Sequence, residues 1–128
     1  MTDTETTTPD TETIVEAYFG MWRTTEAAER ADLVARVFTA DGRHVDQHAD
    51  ARGHDGLVEM ITGVHEGFPG FQMARTSGID RFGDQLRFAW ELNAADGSPI
   101  VAGLDVAELA ADGRLQRVTG FWGDLPEA

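Results

Sequence analysis

The stretch Ile100 to Gly123, IVAGLDVAELAADGRLQRVTGFWG, constrains this chain more than any other. Two β-rich runs flank Ala110-Ala111-Asp112-Gly113, and an Asp-Gly pair in that setting is a strong short-range hairpin signal. Side chains of a strand point alternately to its two faces, so Val101, Gly103, Asp105, Ala107 and Leu109 share one face. Asp105 stands mid-strand among small and apolar neighbours, where an ionised carboxylate is costly unless it is paired, hydrogen-bonded or protonated. In the second run Val118, Gly120 and Trp122 share a face, and Phe121 points the other way. If the two faces coincide, the hairpin is an apolar wall with Asp105 as its one polar group.

At 128 residues the chain makes one domain, which buries roughly two-thirds of its unfolded surface. A formal charge of -13 argues against nucleic acid and anionic membrane as partners, because both need a basic patch. All ten basic residues are arginine, which excludes Schiff-base and lysine-base chemistry. With no cysteine there is no disulfide, thiolate nucleophile or cysteine metal site. The opening MTDTETTTPDTET lacks the pattern of a signal peptide, and no apolar run reaches membrane-spanning length, so a soluble, cytoplasmic protein is expected.

In chain order, residues 1–10 read as a disordered acidic tail and residues 11–128 as the folded domain. A helix is expected from about Thr8-Pro9-Asp10, with Ile14, Tyr18 and Trp22 four apart on its apolar stripe. A second helix fits Glu26 to Phe38, stopping at Asp41-Gly42, followed by a short strand from Arg43 to His48 and a polar loop through Arg52-Gly53. A third helix spans about Asp55 to His65, with Leu57, Met60, Ile61 and Val64 inward and His54 and His65 solvated. The remainder reads as β, with Leu86, Phe88, Trp90 and Leu92 alternating in one strand. Helices followed by meandering antiparallel strands imply an α+β fold, a cone-shaped roll of three helices on a strongly curved antiparallel sheet. Such a cone is a natural pocket for a hydrophobic small molecule.

The whole chain after about Thr11 resembles the nuclear-transport-factor-2-like superfamily, in its SnoaL-like polyketide-cyclase and ketosteroid-isomerase branch. The resemblance lies in IVEAYFGMW of the first helix, in VFTADGRHVDQHADARGHDGLVEMI, and in GLDVAELAADGRLQRVTGFWG. It implies that Tyr18 is an oxyanion-hole tyrosine, Asp46 a proton-shuttling base, Asp105 a protonated acid completing the oxyanion hole, and Trp122 a wall of the pocket. A homodimer through the outer face of the sheet is implied too. The chain departs from the isomerases in a longer join between the first two helices and in Gln47, where they have proline, so the substrate does not carry over.

The same chemistry follows from residue types. Moving a proton beside a carbonyl needs a base, here Asp46, and donors for the enolate-like oxygen, here Tyr18 and a neutral Asp105. No cofactor is required. Trp22, His44, His48, Phe88, Trp90 and Trp122 are the candidate substrate contacts. Each residue also has a purely structural reading: Tyr18 as core, Asp46 paired with Arg43 or Arg75, Asp105 as a hydrogen-bonded brace. His44, Asp46 and His48 alternate along one expected strand face, a pattern that can hold zinc or ferrous iron, or in which a histidine orients Asp46 or takes the proton itself. The rival to an isomerase or cyclase is a non-catalytic ligand-binding or dimerising domain of the same fold.

Overall fold

The computed structural model describes residues 3–128, with side chains from Thr11 onward. The chain forms α1 (Asp3–Arg23), α2 (Ala27–Val37), β1 (Phe38–Val45), β2 (Asp50–Arg52) and α3 (Gly53–Gly67). There follow β3 (Gln72–Arg75), β4 (Asp80–Phe82), β5 (Gln85–Asn93), β6 (Pro99–Leu109) and β7 (Leu115–Trp122). The three helices pack on a curved, open, seven-stranded sheet in the order β2-β1-β7-β6-β5-β3, with β4 on β5. No described helix is long and apolar enough to cross a membrane.

The sheet is mixed, which corrects the all-antiparallel expectation: β1 runs parallel to β7. One helix, α3, and the other strands intervene between β1 and β7, so the return needs no hairpin and the orientation is free to be parallel. The backbone of α1 already begins at Asp3, ahead of the expected Thr8-Pro9 start and within the stretch read as a tail; Met1 and Thr2 lie outside the described residues. Acidic residues at the amino end of a helix suit its dipole. Asp41-Gly42 is not a helix stop but part of β1, which begins at Phe38 with an irregular register against β7 between Phe38 and Arg43. The strand ends at Val45 rather than His48, and part of the expected polar loop is β2, paired with β1.

The core forms where the helix stripes meet the inner sheet face. Val15, Tyr18, Phe19 and Trp22 of α1 join Leu57 and Ile61 of α3 against Leu86, Phe88, Trp90 and Leu92 of β5. The alternation in β5 therefore separates fully buried side chains from half-buried or exposed ones as its sequence indicates. His54 and His65 are not simply solvated, since each lies within hydrogen-bonding reach of a carbonyl, that of Phe38 at 2.9 Å and that of Trp22 at 2.8 Å respectively. Partly buried imidazoles fill such roles because one ring nitrogen can donate to an otherwise unsatisfied carbonyl.

Candidate functional site

The register of the last hairpin determines the site. Asp105 lies opposite Gly120, Gly103 opposite Trp122, and Ala107 opposite Val118, so the two apolar faces coincide. On its other side β6 pairs with β5, setting Phe88 opposite Asp105 and Trp90 opposite Gly103. Both glycines permit close approach. A Cβ at Gly103 would collide with the Trp90 ring and the Phe121 carbonyl. One at Gly120 would lie 2.9 Å from Asp105 Oδ1 and 3.4 Å from Asp46 Cβ. With only hydrogen there, Asp105, Asp46 and His44 gather over one point of the sheet.

Asp105 is 4% exposed. Tyr18 Oη–H donates to its Oδ2 at 2.7 Å, and the Trp90 indole N–H donates to its Oδ1 at 3.0 Å. Burial raises the Asp105 carboxyl above the usual carboxylate range, opposed by the His44 imidazole and by the two donors. Burial, followed by the charge and hydrogen bond of Asp105, pushes the Tyr18 hydroxyl well above its ordinary value, so it remains a donor.

Asp46 sits just beyond the end of β1 in a tight Asp-Gln-His-Ala turn. Its Oδ1 accepts the backbone N–H groups of His48 at 2.7 Å and Ala49 at 2.9 Å, an Asx-type turn. Its Oδ2 lies 3.1 Å from His44 Nε2. Burial works to raise this carboxyl, but the bonds from His44, His48 and Ala49 outweigh it and hold it below its usual range. Neither arginine proposed as its partner is engaged with it: Arg43 grips Asp50 through two 2.8 Å bonds, and Arg75 reaches Glu12 and Glu16.

Two cavities meet at this cluster. A chamber of about 20 Å³, room for one water-sized atom, is lined by Tyr18, Trp22, His44, Asp46, Trp90, Asp105 and Trp122, with Val64, Met73 and Leu92. Beside it an open cleft of about 590 Å³ runs between α3 and the β1–β2 turn, a size suited to a small organic ligand. Trp22, Asp46, Val64 and Trp122 border both spaces. Of the residues singled out from the sequence, His48 lines the outer cleft, its ring 4.7 Å from that of Trp122. Phe88 lines neither cavity and packs behind Asp105. The sequence reading missed Gly63 and Phe68 of the cleft wall, and the part Gly120 plays in the close approach. The spacing of Asp46 before two free amides was a signal for the Asx turn. Among the described residues no group of three His, Cys, Asp or Glu is placed to hold a metal ion. His44 and His48 part company because the chain turns at Asp46.

The opposite shifts of the two acids fix the direction of their pH dependence. Above the ordinary value of 3.8 the folded protein holds the Asp105 proton more tightly than the unfolded chain. Stability is therefore lost as pH rises from there through the raised value. Asp46 acts oppositely: its contribution is present at neutral pH and is lost as pH falls below 3.8 through its lowered value. Asp105→Asn should accordingly gain stability relative to the native protein as pH rises through the weakly acidic range. Urea midpoints of the two proteins across that range measure it, and parallel curves would mean an unperturbed Asp105.

No protein-family model matches the chain, and no curated protein does. Solved structures do. A candidate isomerase of the SnoaL-like family from Agrobacterium tumefaciens superposes with a TM-score of 0.86 at 29% identity, over 91% of this chain and 99% of that one. An NTF2-like protein of unknown function from an Exiguobacterium species gives 0.71 at 22% identity, over 88% and 99%. A candidate polyketide cyclase from Sinorhizobium meliloti gives 0.67 at 18%, over 84% and 92%. The last two share the fold alone.

Proposed function

Because the chain belongs to the nuclear-transport-factor-2-like superfamily, in its SnoaL-like branch, we propose that it is a cofactor-independent acid/base enzyme acting on a neutral, hydrophobic carbonyl compound. The chemistry is enolisation, leading to isomerisation or aldol-type ring closure. The observation that carries this reading is the dry Asp105, bonded to Tyr18, in a small chamber that adjoins a ligand-sized cleft, with a second carboxylate, Asp46, bordering both.

Asp46 is the base. Its Oδ1 is filled by two amides, whereas Oδ2 meets only His44 and keeps a lone pair for a proton from the carbon beside the carbonyl. The electron pair released moves to the carbonyl oxygen. Tyr18 meets that oxygen: with Asp105 protonated, the 2.7 Å bond can reverse, the acid donating to Tyr18 Oη and the phenol hydrogen turning to the ligand. The proton then returns from Asp46 to the same or another carbon, and nothing is oxidised or reduced. The cleft carries Asp46, Asp50 and Glu59 against Arg52 on a chain of charge -13, which disfavours anionic substrates. A cytoplasmic homodimer goes with this reading, formed through the outer sheet face where Phe82 and Phe121 are exposed.

Binding of 2-naphthol, a neutral mimic of the enol, tests the assignment. Tyr18→Phe and Asp105→Asn should each weaken it about tenfold or more, read by fluorescence titration. Normal binding by both variants would remove the catalytic assignment and leave a ligand-binding domain that performs no chemistry.

A further inference from the structure

The acid/base reading leaves the buried Trp22 donor at this site unused. Trp22 follows Tyr18 by one helical turn, so indole and phenol project from the same face of α1. Their rings stand edge-on, 6.4 Å apart. Trp22 is 5% exposed, it borders both cavities, and its Nε1 is buried with no hydrogen-bond partner among the described residues. A buried N–H without an acceptor is unfavourable, and native structures seldom leave one without a role. Trp90 offers the contrast, since its N–H is satisfied by Asp105. The Trp22 N–H also works against the rise in the Tyr18 pKa, although the two groups do not meet hydrogen-bond geometry.

Asp105, meanwhile, has both oxygens occupied by Tyr18 and Trp90. It reaches a ligand through Tyr18 rather than directly. The chamber beside these groups has room for one heavy atom, and the body of any ligand must remain in the outer cleft.

We propose that Trp22 Nε1–H and Tyr18 Oη–H form a two-donor site for a single ligand oxygen, carbonyl or phenolic, which enters the chamber while a flat apolar ring system stays in the cleft. This rests on the acid/base reading and narrows its substrate class. The ligand is neutral, and its oxygen stands at the end of the ring system with no substituent large enough to block entry. Trp22 is then a specificity-determining donor in addition to a wall.

The test compares 2-naphthol with naphthalene, which differ only in the oxygen. The native protein should prefer 2-naphthol by about tenfold or more. Trp22→Phe removes the N–H and some apolar contact; the contact loss affects both ligands alike, so the ratio between them isolates the N–H. That ratio should fall about three- to tenfold. In the native protein, the Trp22 indole proton should move downfield in NMR spectra on adding 2-naphthol and not on adding naphthalene. Its resonance is identified by contacts to the Tyr18 ring protons, so this measurement stands even where the variant fails to fold. A native preference retained in Trp22→Phe, or an unmoved indole proton, overturns the two-donor site while leaving the acid/base reading intact. No native preference for 2-naphthol overturns both.

Discussion

Asp46→Asn is expected to slow deuterium uptake beside the carbonyl of a neutral bicyclic ketone such as 2-tetralone by about a hundred- to ten-thousand-fold, the span typical of a lost general base. Asparagine is the informative replacement. Its amide oxygen can still accept the His48 and Ala49 amides at the Oδ1 position, so the turn persists. The atom facing His44 becomes an amide nitrogen with no usable lone pair. The fold is thus retained while the basic oxygen is lost, and a cooperative thermal transition, with its midpoint lowered at neutral pH by the loss of the Asp46 charge, should accompany the loss of exchange. Exchange rates equal to those of the native protein would remove Asp46 from the mechanism. A fall of only a few-fold, with a rate that follows an imidazole titration, would move the base to His44.

Phe88→Ala should cost about 3–5 kcal/mol of folding stability, in the range for a fully buried phenylalanine. Phe88 is 1% exposed, and its ring centroid lies 5.8 Å from that of Tyr18 and 5.5 Å from that of Phe19. It also sits directly across from Asp105 in the β5–β6 register. The void would open beside the acid and admit water, relieving the desolvation that raises its pKa. Two readouts should therefore change together: the urea midpoint falls, and the loss of stability with rising pH becomes shallower. A variant that loses stability yet keeps the native pH slope would show that other side chains keep Asp105 dry.

Much of this site was legible in the sequence because its decisive pairing is local. The Asp112-Gly113 turn determines which residue of one strand faces which of the other, and that register brings Asp105 and Trp122 onto one wall. The four-residue spacing of Tyr18 and Trp22 likewise places both on the face of α1 that meets the sheet. What depends on distant chain was not legible. The parallel β1–β7 pairing joins segments some seventy residues apart in sequence, and no local signal specifies it. The freedom of Asp46 from Arg43 depends on β2, a three-residue strand whose Asp50 captures the guanidinium across the ladder. Asp41-Gly42 carries turn residues yet lies within β1, where the register against β7 breaks between Phe38 and Arg43, so the strand accommodates them in an irregularity that only its distant partner reveals. The division of the interior into a one-atom chamber and a ligand-sized cleft arises from side-chain packing, which alternation cannot reveal.

The placement of β7 between β1 and β6 has a consequence for how the protein comes into being. A nascent chain that has reached only Asp112 holds two separate ribbons, one bearing Asp46 and the other Asp105, with nothing to zip them together. Such long-range closure is slow compared with helix formation. The gathering of Asp46 with Asp105 is therefore a single late step, and no half-made version of the domain holds the two acids together before that seam is sewn.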